Sequence, residues 1–447
     1  MTQKEQFYLL TILAHVGMGF LFFYLPIVGY IYGLTILAVG IFYIIKTQNK
    51  NNEVLLLAAY FTGIDVYLKM IGEIILNEYG KYTVIIFMTL GIIYKGFSKK
   101  AFLFVLFLAL LIPGIYIGAE TLSLDANIRK AIAFNITGPA CLGICAIYTF
   151  ERSISFERLK DVLSMLMFPL VAMLVNLFLY APSIQEVVTS TQSNFATSGG
   201  FGPNQVSTVL GLAMFIAFIQ FLFASGSKII QGINMVLVAL FAFRCIITFS
   251  RGGMFTGVIM MGLLLLLMYR SMNFKAKGKI ILIAGLSAFA GLVIWGYSSI
   301  QTSGLIEKRY ANESALGVKK TSVLSGRELL IESELNMFLE HPIFGVGVGK
   351  NKEVRFENTG VSAASHNEMT RMLAEHGSLG LVALLILLFT PLFLYLNNQT
   401  QIFALIFTAF WLLTINHAAM RIAAPAFVYS LALLRVNYFA ESKNKAV

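Results

Sequence analysis

His366, in the segment "ASHNEMTRMLAEHGSLG", is the best candidate for acid–base chemistry. Ser365 and Glu368 around it match the S-x-x-E capping box, which predicts that His366 occupies the first position of a helix. The positive end of a helix disfavours an imidazolium ion, so the ring is expected to stay neutral and able to accept a proton from a hydroxyl group. An ordinary polar histidine at a helix N-terminus is the alternative. His376 ends the same short helix before Gly377, where C-capping is the simpler role.

Three arginines could bind an anion such as phosphate. Arg244 and Arg251 lie seven residues apart in "FRCIITFSRGGMF", which puts both on one helical face with Arg251 at its outer boundary. Arg327 begins an amphipathic segment, "GRELLIESELNMFLEHP", which predicts a helix ended by Pro342. A cation in a first helical turn is unfavourable unless an anion compensates it. The alternatives are a snorkelling Arg251, a structurally paired Arg244 and a solvated Arg327. The apolar positions of the amphipathic helix are expected to pack on the rest of the protein: Leu330, Ile331, Leu335, Phe338 and Leu339.

Polar segments precede three of the apolar helices. They are "SGGFGPNQVS" with Gly202 and Asn204, "SRGG" with Ser250, and the His366 segment, which also contains Asn367 and Arg371. Helix N-termini present free N–H groups and partial positive charge, which makes them potential anion sites. Three of them on one face could hold a diphosphate without a metal ion. Ordinary N-capping is the alternative for each one alone.

The sequence lacks the motifs that usually bind metals or nucleotides. It has three aspartates, none of them in a D-x-D arrangement, and it contains no P-loop, no H-E-x-x-H and no Cys/His ligand spacing. The glycine-rich run 345–349 is expected to be a flexible turn. We therefore expect no metal and no cofactor. The other polar residues and the cysteines are expected to be structural: an ion-pair stripe of Asp65, Lys69 and Glu73; the histidines His15, His341 and His417; and Cys141, Cys145 and Cys245.

Composition points to a membrane protein, since 58% of the residues are apolar and 12% are charged. A spanning helix needs about 20 apolar residues, and such stretches recur along the whole chain. We expect an all-α polytopic protein with about fourteen spans (12–14). No cleavable signal peptide is expected, because the first apolar stretch runs straight into a second. The predicted spans are 7–24, 27–45, 54–72, 82–95, 101–118, 132–149, 161–180, 204–225, 229–248, 253–270, 280–297, 378–396, 401–417 and 422–438.

Loop charge sets the expected orientation. With both termini in the cytoplasm, the inside connections and tail hold sixteen Lys and Arg residues, against five in the short outside loops. The long connection 298–377 then lies outside. The net charge of +11 is explained by this bias, so nucleic acid is not an expected partner. We divide the chain into an N-terminal transmembrane region (1–203), helices bearing the S-R-G motif (204–297), the external loop with the His366 helix (298–377) and C-terminal transmembrane helices (378–447).

The segments "GGFGPNQVS", "FSRGGM", "SGRELL", "HPIFGVGVG" and "HNEMTRMLAEHGSLGL" resemble the O-antigen ligase and polymerase superfamily in order and spacing. His366 is followed by ten residues and Gly377, similar to the H-x10-G signature of the ligases. The similarity is strongest over 195–385. It implies a GT-C-like, inverting, metal-independent glycosyltransferase that uses an undecaprenyl-diphosphate-linked glycan. The catalytic histidine of the family maps onto His366, and its two essential arginines map onto Arg251 and Arg327.

The resemblance implies a bacterial inner-membrane enzyme with a periplasmic site. The expected acceptor is a saccharide-bearing lipid, lipid A-core in a ligase, because "SGLIEKRYANESALGVKK" is basic and rich in hydroxyl groups. A repeat-unit polymerase and a protein O-oligosaccharyltransferase are the alternatives within the family. A lipid-linked glycan flippase or transporter is the alternative of another class, but no internal repeat is evident. The expected substrate-binding residues beside the catalytic three are Arg244, Asn204, Asn367, Gly202, Ser250 and Arg371.

Overall fold

The computed structural model describes residues 2–72, 77–224, 227–320, 322 and 327–438. Nearly all regular structure in these ranges is helical, apart from a two-stranded parallel sheet of β1 (Ser153–Ser155) and β2 (Arg435–Asn437). The helices are α1 (Gln3–Tyr24), α2 (Pro26–Thr47), α3 (Glu53–Met70), α4 (Tyr79–Lys95), α5 (Phe102–Thr121), α6 (Ile128–Thr149), α7 (Phe156–Tyr180), α8 (Ile184–Val187), α9 (Pro203–Phe223), α10 (Lys228–Ile247), α11 (Arg251–Ser271), α12 (Phe274–Gln301), α13 (Leu305–Tyr310), α14 (Glu328–Glu340), α15 (Asn351–Thr359), α16 (Glu368–Asn397), α17 (Ile402–Ile415) and α18 (Ala423–Leu431).

Ten of the described helices are long and apolar enough to cross a membrane, judged by length and composition: α1, α2, α5 with the turn before it, α6, α7, α9, α10, α11, α12 and α16. The expectation of a helical multi-pass membrane protein is confirmed at this level, and the count of fourteen is not. The other predicted spans form shorter or more polar helices. At about 1.5 Å per residue, α17 covers about 21 Å, which is less than the roughly 30 Å hydrocarbon core.

The last predicted span, 422–438, is wrong in its second half. Helix α18 ends at Leu431, and the chain then pairs with the segment that follows α6. The Glu151 amide donates to the Leu433 carbonyl, and the Arg435 amide donates to the Arg152 carbonyl. These bonds satisfy the backbone after α18, so the apolar sequence does not need to remain helical.

Helices α7 and α9 form the centre of the bundle, whereas α12 lies almost entirely at its surface. The buried share of the span is 78% in α7, 83% in α9 and 6% in α12. Apolar side chains on such outer helices are suited to contact lipid. Glycine faces bring α9 and α11 into close contact, because a Cβ on Gly211 or Gly253 would clash with the backbone of the other helix. This contact fixes the start of α11, where Arg251 lies.

The predicted ion-pair stripe on α3 is confirmed for Asp65 and Lys69, whose charged atoms are 3.0 Å apart. Glu73, its third member, lies outside the described residues. The buried Asp65 carboxylate also accepts the backbone N–H of Ala423 at 3.0 Å, the first residue of α18. Asp65 therefore stabilises the N-terminus of that helix as well as its own ion pair.

The amphipathic helix predicted between 298 and 377 is confirmed as α14, which ends before Pro342. Its buried face consists of Leu330, Glu334 and Met337. The expected contacts of Leu335 and Leu339 are wrong, since both side chains are exposed. The buried stripe follows i, i+4, i+7 spacing and places a glutamate at its centre, which a purely apolar pattern does not predict.

The buried Glu334 carboxylate joins α14 to the segment that carries His366. It accepts hydrogen bonds from Arg355 Nη2 at 2.5 Å, Thr370 Oγ1 at 2.5 Å and Ser365 Oγ at 3.2 Å. The Arg355 guanidinium in turn donates to the Ala363 carbonyl. This set of contacts, the Glu334 network, links α14, α15, the segment 360–367 and α16.

The glycine-rich run 345–349 is a turn, but it is packed rather than free. The amides of Val346 and Val348 donate to the carbonyls of Ala374 and Gly114, both at 2.8 Å. The break that follows in α16 lies at Gly377, whose φ of 61° is in the left-handed region and whose Cβ would lie 2.6 Å from the Ile343 backbone. The turn therefore packs between α5 and α16, and its contacts hold the first part of α16 in place.

The orientation can be tested with single cysteines at exposed positions in a background without native cysteines. Leu124→Cys and Leu316→Cys lie in predicted external segments, and their wild-type side chains are 97% and 91% exposed. Phe274, 91% exposed, lies in a predicted internal loop. We expect an impermeant thiol reagent to label the first two in intact cells and Phe274→Cys only after permeabilisation. The reverse pattern would invert the topology.

The Glu334 network can be tested with Glu334→Ala, and Glu332→Ala serves as an exposed control on the same helix. We expect Glu334→Ala to lower the free energy of unfolding by about 3–5 kcal/mol, because Arg355 is left buried without its carboxylate. Hydrogen exchange should increase in α14 and in residues 360–370, whereas the control should match wild type. Unchanged exchange in Glu334→Ala would mean that other contacts hold this segment.

Candidate functional site

His366 lies just before α16 and directly precedes the N-cap residue of that helix. Asn367 is the N-cap residue, and its side chain accepts the backbone N–H groups of Met369 and Thr370. The predicted Ser365–Glu368 capping box is therefore wrong. Ser365 instead donates to the Glu334 carboxylate, and Glu368 pairs with Arg371. His366 still lies at the positive end of α16, because it directly precedes the N-cap.

His366 borders two cavities at one end of the bundle. One is a cleft of about 600 Å³, and the other is a pocket of about 40 Å³. The pocket is lined by Arg327, Asn367 and Glu334 together with His366. The cleft is lined by Lys69, Gly72, Asn77, Glu78, Phe134, Phe195, Phe201, Gly202, Pro203, Asn204, Gln205, Ala364, His366, Ala418 and Arg421.

Four cations interact electrostatically with one another, and one of them, Arg327, lines the pocket: Arg251, Arg309, Lys320 and Arg327. We call them the cationic cluster. Burial, then the charge of Arg251, lowers the pKa of Arg327. Burial, followed by the charges of Arg251 and Arg327, lowers the pKa of Arg309 to about 10. An anion that binds beside these cations offsets the repulsion among them, so the cluster is suited to bind a phosphate group.

Arg309 was not identified from the sequence. Its Nε donates to the Phe249 carbonyl at 2.9 Å, and its Nη2 donates to Ser193 Oγ at 3.4 Å. Phe249 has a φ of 59°, which a bulky residue rarely adopts, and this turn directs its carbonyl toward Arg309 just before Ser250 and Arg251. The only sequence signal was the basic character of the loop that contains Arg309.

Electrostatics keep the His366 ring neutral. Burial, then repulsion from Arg327, Arg421 and His417, lowers the pKa of His366 to about 4. The imidazole is therefore unprotonated at neutral pH, as the sequence analysis expected from the helix N-terminus. A neutral ring that reaches the cleft can accept a proton from a hydroxyl group.

The N-termini of α9 and α11 meet beside the cleft. Ser250 Oγ donates to Asn204 Oδ1 at 2.8 Å, and Gly202 is the N-cap of α9. Two glycines before α9 also have a structural role, because they form the turn that leads into the helix. Gly199 and Gly200 have φ values of 67° and 75° in the turn before α9.

Two predicted binding residues lie away from the cavities. Arg244 is buried, and its Nη2 donates to the Leu177 carbonyl at 2.6 Å and the Thr197 carbonyl at 3.3 Å. Arg371 is buried between Glu368 and Glu375, with which it forms ion pairs. Both guanidinium groups are used within the protein, so the structure does not place them where a phosphate could reach them.

Arg421 is a cleft residue that the sequence analysis counted only as a loop charge. Its Nη2 donates to the Ser365 carbonyl at 2.6 Å, next to His366. Its guanidinium also lies 3.9 Å from the centre of the Phe134 ring. The residue thus joins the loop between α17 and α18 to the His366 segment.

The other histidines are structural where their contacts are shown. His15 contacts the Thr11 carbonyl and the Tyr60 hydroxyl, and His417 contacts Thr208 Oγ1 at 3.1 Å. His376 does not cap its helix. Its buried ring packs against Gly114, and neither ring nitrogen has a hydrogen-bond partner among the described residues.

Across the described part of the chain, no group of three or more His, Cys, Asp or Glu side chains is arranged to hold a metal ion. The described residues that line the two cavities are mainly cationic or neutral, and their two carboxylates, Glu78 and Glu334, are paired with Lys81 and Arg355. This donor set fits an anionic ligand held by side-chain cations.

Comparison with known proteins supports the sequence resemblance. Residues 235–385, about a third of the chain, match the family model described as O-Antigen ligase. No curated protein matches the chain. The matched stretch contains Arg251, Arg309, Arg327 and His366, but not Asn204 or Arg421. Over residues 235–385 the chain is thus confirmed to resemble the O-antigen ligase superfamily of membrane proteins.

Proposed function

We propose that this protein is an inverting glycosyltransferase that moves a glycan from undecaprenyl diphosphate to an acceptor hydroxyl at the periplasmic face of the bacterial inner membrane. The observation that carries the proposal is the position of His366. The residue lines both the cleft and the Arg327 pocket. A base between an anion site and an open cleft is the arrangement that glycosyl transfer from a lipid diphosphate needs.

In the proposed reaction the acceptor hydroxyl gives its proton to His366, and the hydroxyl oxygen attacks C1 of the donor sugar. The bond between C1 and the diphosphate oxygen breaks, and undecaprenyl diphosphate leaves with the bonding electrons. Arg251, Arg309 and Arg327 stabilise the charge that develops on this leaving group. Attack from the side opposite the leaving group inverts the configuration at C1. Asn204 and Asn367 hold phosphate or sugar oxygens beside the base.

Donor binding strengthens the base in this mechanism. Without an anion, repulsion from Arg327 contributes to the low pKa of His366. A bound diphosphate offsets the Arg327 charge and raises the pKa of His366 toward its ordinary value. The histidine is then a better proton acceptor when the donor is in place than when the site is empty.

The cationic cluster takes the role that a divalent metal has in many enzymes that use diphosphate donors. Guanidinium groups neutralise the diphosphate and bind its oxygens in pairs. We therefore propose that transfer does not require magnesium or manganese.

We propose lipid A-core as the acceptor, which makes the protein a ligase. The H-x10-G spacing from His366 to Gly377 and the description of the matching family model support this choice. The external segment beside the cationic cluster is also basic, with Lys308, Lys319 and Lys320, and suits an anionic glycolipid. A repeat-unit polymerase would use the same donor chemistry with a different acceptor.

The two residue types should fail in different ways. We expect Arg251→Gln and Arg309→Gln each to weaken donor binding by about 2 kcal/mol, or about 30-fold, since each removes a charge-assisted contact. We expect His366→Ala to abolish turnover while keeping donor affinity, because the ring acts on the acceptor. Binding and turnover are measured with purified protein and a lipid-linked donor in excess EDTA.

Arg435→Gln is the matched control, because Arg435 pairs with Glu151 beside the short sheet rather than lining either cavity. It should bind and turn over like wild type. Equal loss of donor affinity in His366→Ala and Arg251→Gln would make His366 a phosphate ligand and not a base. A requirement for magnesium would contradict neutralisation by arginines alone.

A deletion strain tests the acceptor. We expect loss of the ligase to leave long polymer on the lipid carrier and bare core lipopolysaccharide, both visible on gels. Core that carries a single repeat would indicate a polymerase instead. Unchanged surface glycolipid together with glycoproteins that lack their glycans would contradict both.

A further inference from the structure

The cleft that borders His366, which no member of the cationic cluster lines, has the composition of a saccharide site. Three phenylalanine side chains, Phe134, Phe195 and Phe201, line it. Phe195 is 61% exposed and Phe134 is 39% exposed, so their apolar surface is open to a ligand. Asn204 and Gln205 add amide groups at the start of α9. Aromatic faces beside a few polar groups suit the apolar faces and hydroxyl groups of a sugar ring.

Two cleft residues have buried polar atoms without a hydrogen-bond partner among the described residues. Gln205 Oε1 is an acceptor, and Arg421 Nη1 is a donor. A buried polar atom without a partner is unfavourable, and a ligand that supplies the partner gains that free energy on binding. A ligand with hydroxyl groups and an acidic group could satisfy both, since a hydroxyl donates to Gln205 and an acidic oxygen accepts from Arg421.

Among the charged residues that line the cleft, Lys69 pairs with Asp65 and Glu78 pairs with Lys81. Arg421 forms no ion pair within the part of the chain that the structure describes, although the carboxylates of Glu368, Glu375 and Glu78 act on it over a longer distance. Its guanidinium contacts the Ser365 carbonyl and the Phe134 ring. Because Nη1 of Arg421 is buried without a hydrogen-bond partner among the described residues, the cleft suits a ligand with an acidic group near Arg421.

We propose that this cleft binds the acceptor saccharide, and that Arg421 and Gln205 bind an acidic group and a hydroxyl group of that saccharide. The assignment of the ligand as the acceptor rests on the proposed function, in which the donor diphosphate occupies the cationic cluster. The arrangement places the acceptor in the cleft and the donor beside Arg327, and His366 lines both cavities. The acidic group is a carboxylate, as in a uronic acid, or a phosphate on the sugar.

Binding of small saccharides to the purified full chain tests the site. The probes are galacturonic acid, galactose 6-phosphate and neutral galactose, and saturation-transfer NMR measures their dissociation constants in the absence of donor. We expect both acidic sugars, or one of them, to bind at least about tenfold tighter than galactose, as a charge-assisted contact predicts. Preference for one acidic probe identifies the acidic group as a carboxylate or a phosphate.

Variants assign the binding to the cleft. Arg421→Gln should remove the preference for acidic sugars, and Arg421→Lys should restore part of it. Gln205→Ala should weaken the binding of acidic and neutral sugars alike. This substitution leaves the contact between Arg421 and the His366 segment in place. The distant control Arg435→Gln should bind all three probes like wild type, and Arg251→Gln should keep the preference for galacturonic acid over galactose.

Equal binding of galactose and the acidic probes would overturn the proposal, as would wild-type binding by Arg421→Gln. Loss of acidic-sugar binding in Arg251→Gln would place the acidic group in the cationic cluster and would also overturn it. The proposed function is tested by a separate measurement, glycan transfer, which it predicts to be lost in His366→Ala. Acidic sugars that bind to a protein without transfer activity would leave the cleft as a saccharide site and reject the glycosyltransferase.

Discussion

The buried carboxylate of Glu334 is the contact on which the geometry of the site depends. It binds Arg355, Thr370 and Ser365 at once, so it joins α14 to the segment that carries His366. Arg327 immediately precedes α14, and its distance from His366 is therefore set by this network. A buried ion pair adds little net stability in general, but removal of one partner is costly. Such a pair is well suited to fix one arrangement of two loop segments.

The electrostatics of the site follow from that arrangement. Arg251 and Arg309 come from separate segments that meet through the strained turn at Phe249. The resulting cationic cluster is unfavourable in the empty protein and becomes favourable when an anion binds. Burial, together with the charge of Arg327 from this cluster, lowers the pKa of His366, so an arginine that attracts a diphosphate also helps to keep the proton acceptor neutral. Recognition of the donor and activation of the acceptor are in this way coupled through one pair of neighbours, Arg327 and His366.

Short-range patterns in the sequence predict those elements and site residues whose positions depend on neighbours in the chain. Helix α14 was predicted nearly to its ends because its periodicity and Pro342 act within a few residues, and Asn204, Arg251, Arg327 and His366 were all found at one end of the bundle. Arg309 and Arg421 could not be predicted, because each reaches the site through a backbone carbonyl distant in sequence. The ion pairs of Arg371 are predictable from the sequence, because Glu368 lies three residues before it and Glu375 four residues after it on the same helix. The early end of α18 depends on pairing with 151–155 and has no local signal.

The most direct measurement is an experimental structure of the protein with bound undecaprenyl diphosphate. We expect its phosphate oxygens to lie within hydrogen-bond distance of Arg251, Arg309 and Arg327, with the terminal phosphate beside His366 and the cleft on the Arg421 side still open. A diphosphate bound at Lys69 and Arg421, or at the opposite end of the bundle, would contradict the assignment of the cationic cluster as the donor site.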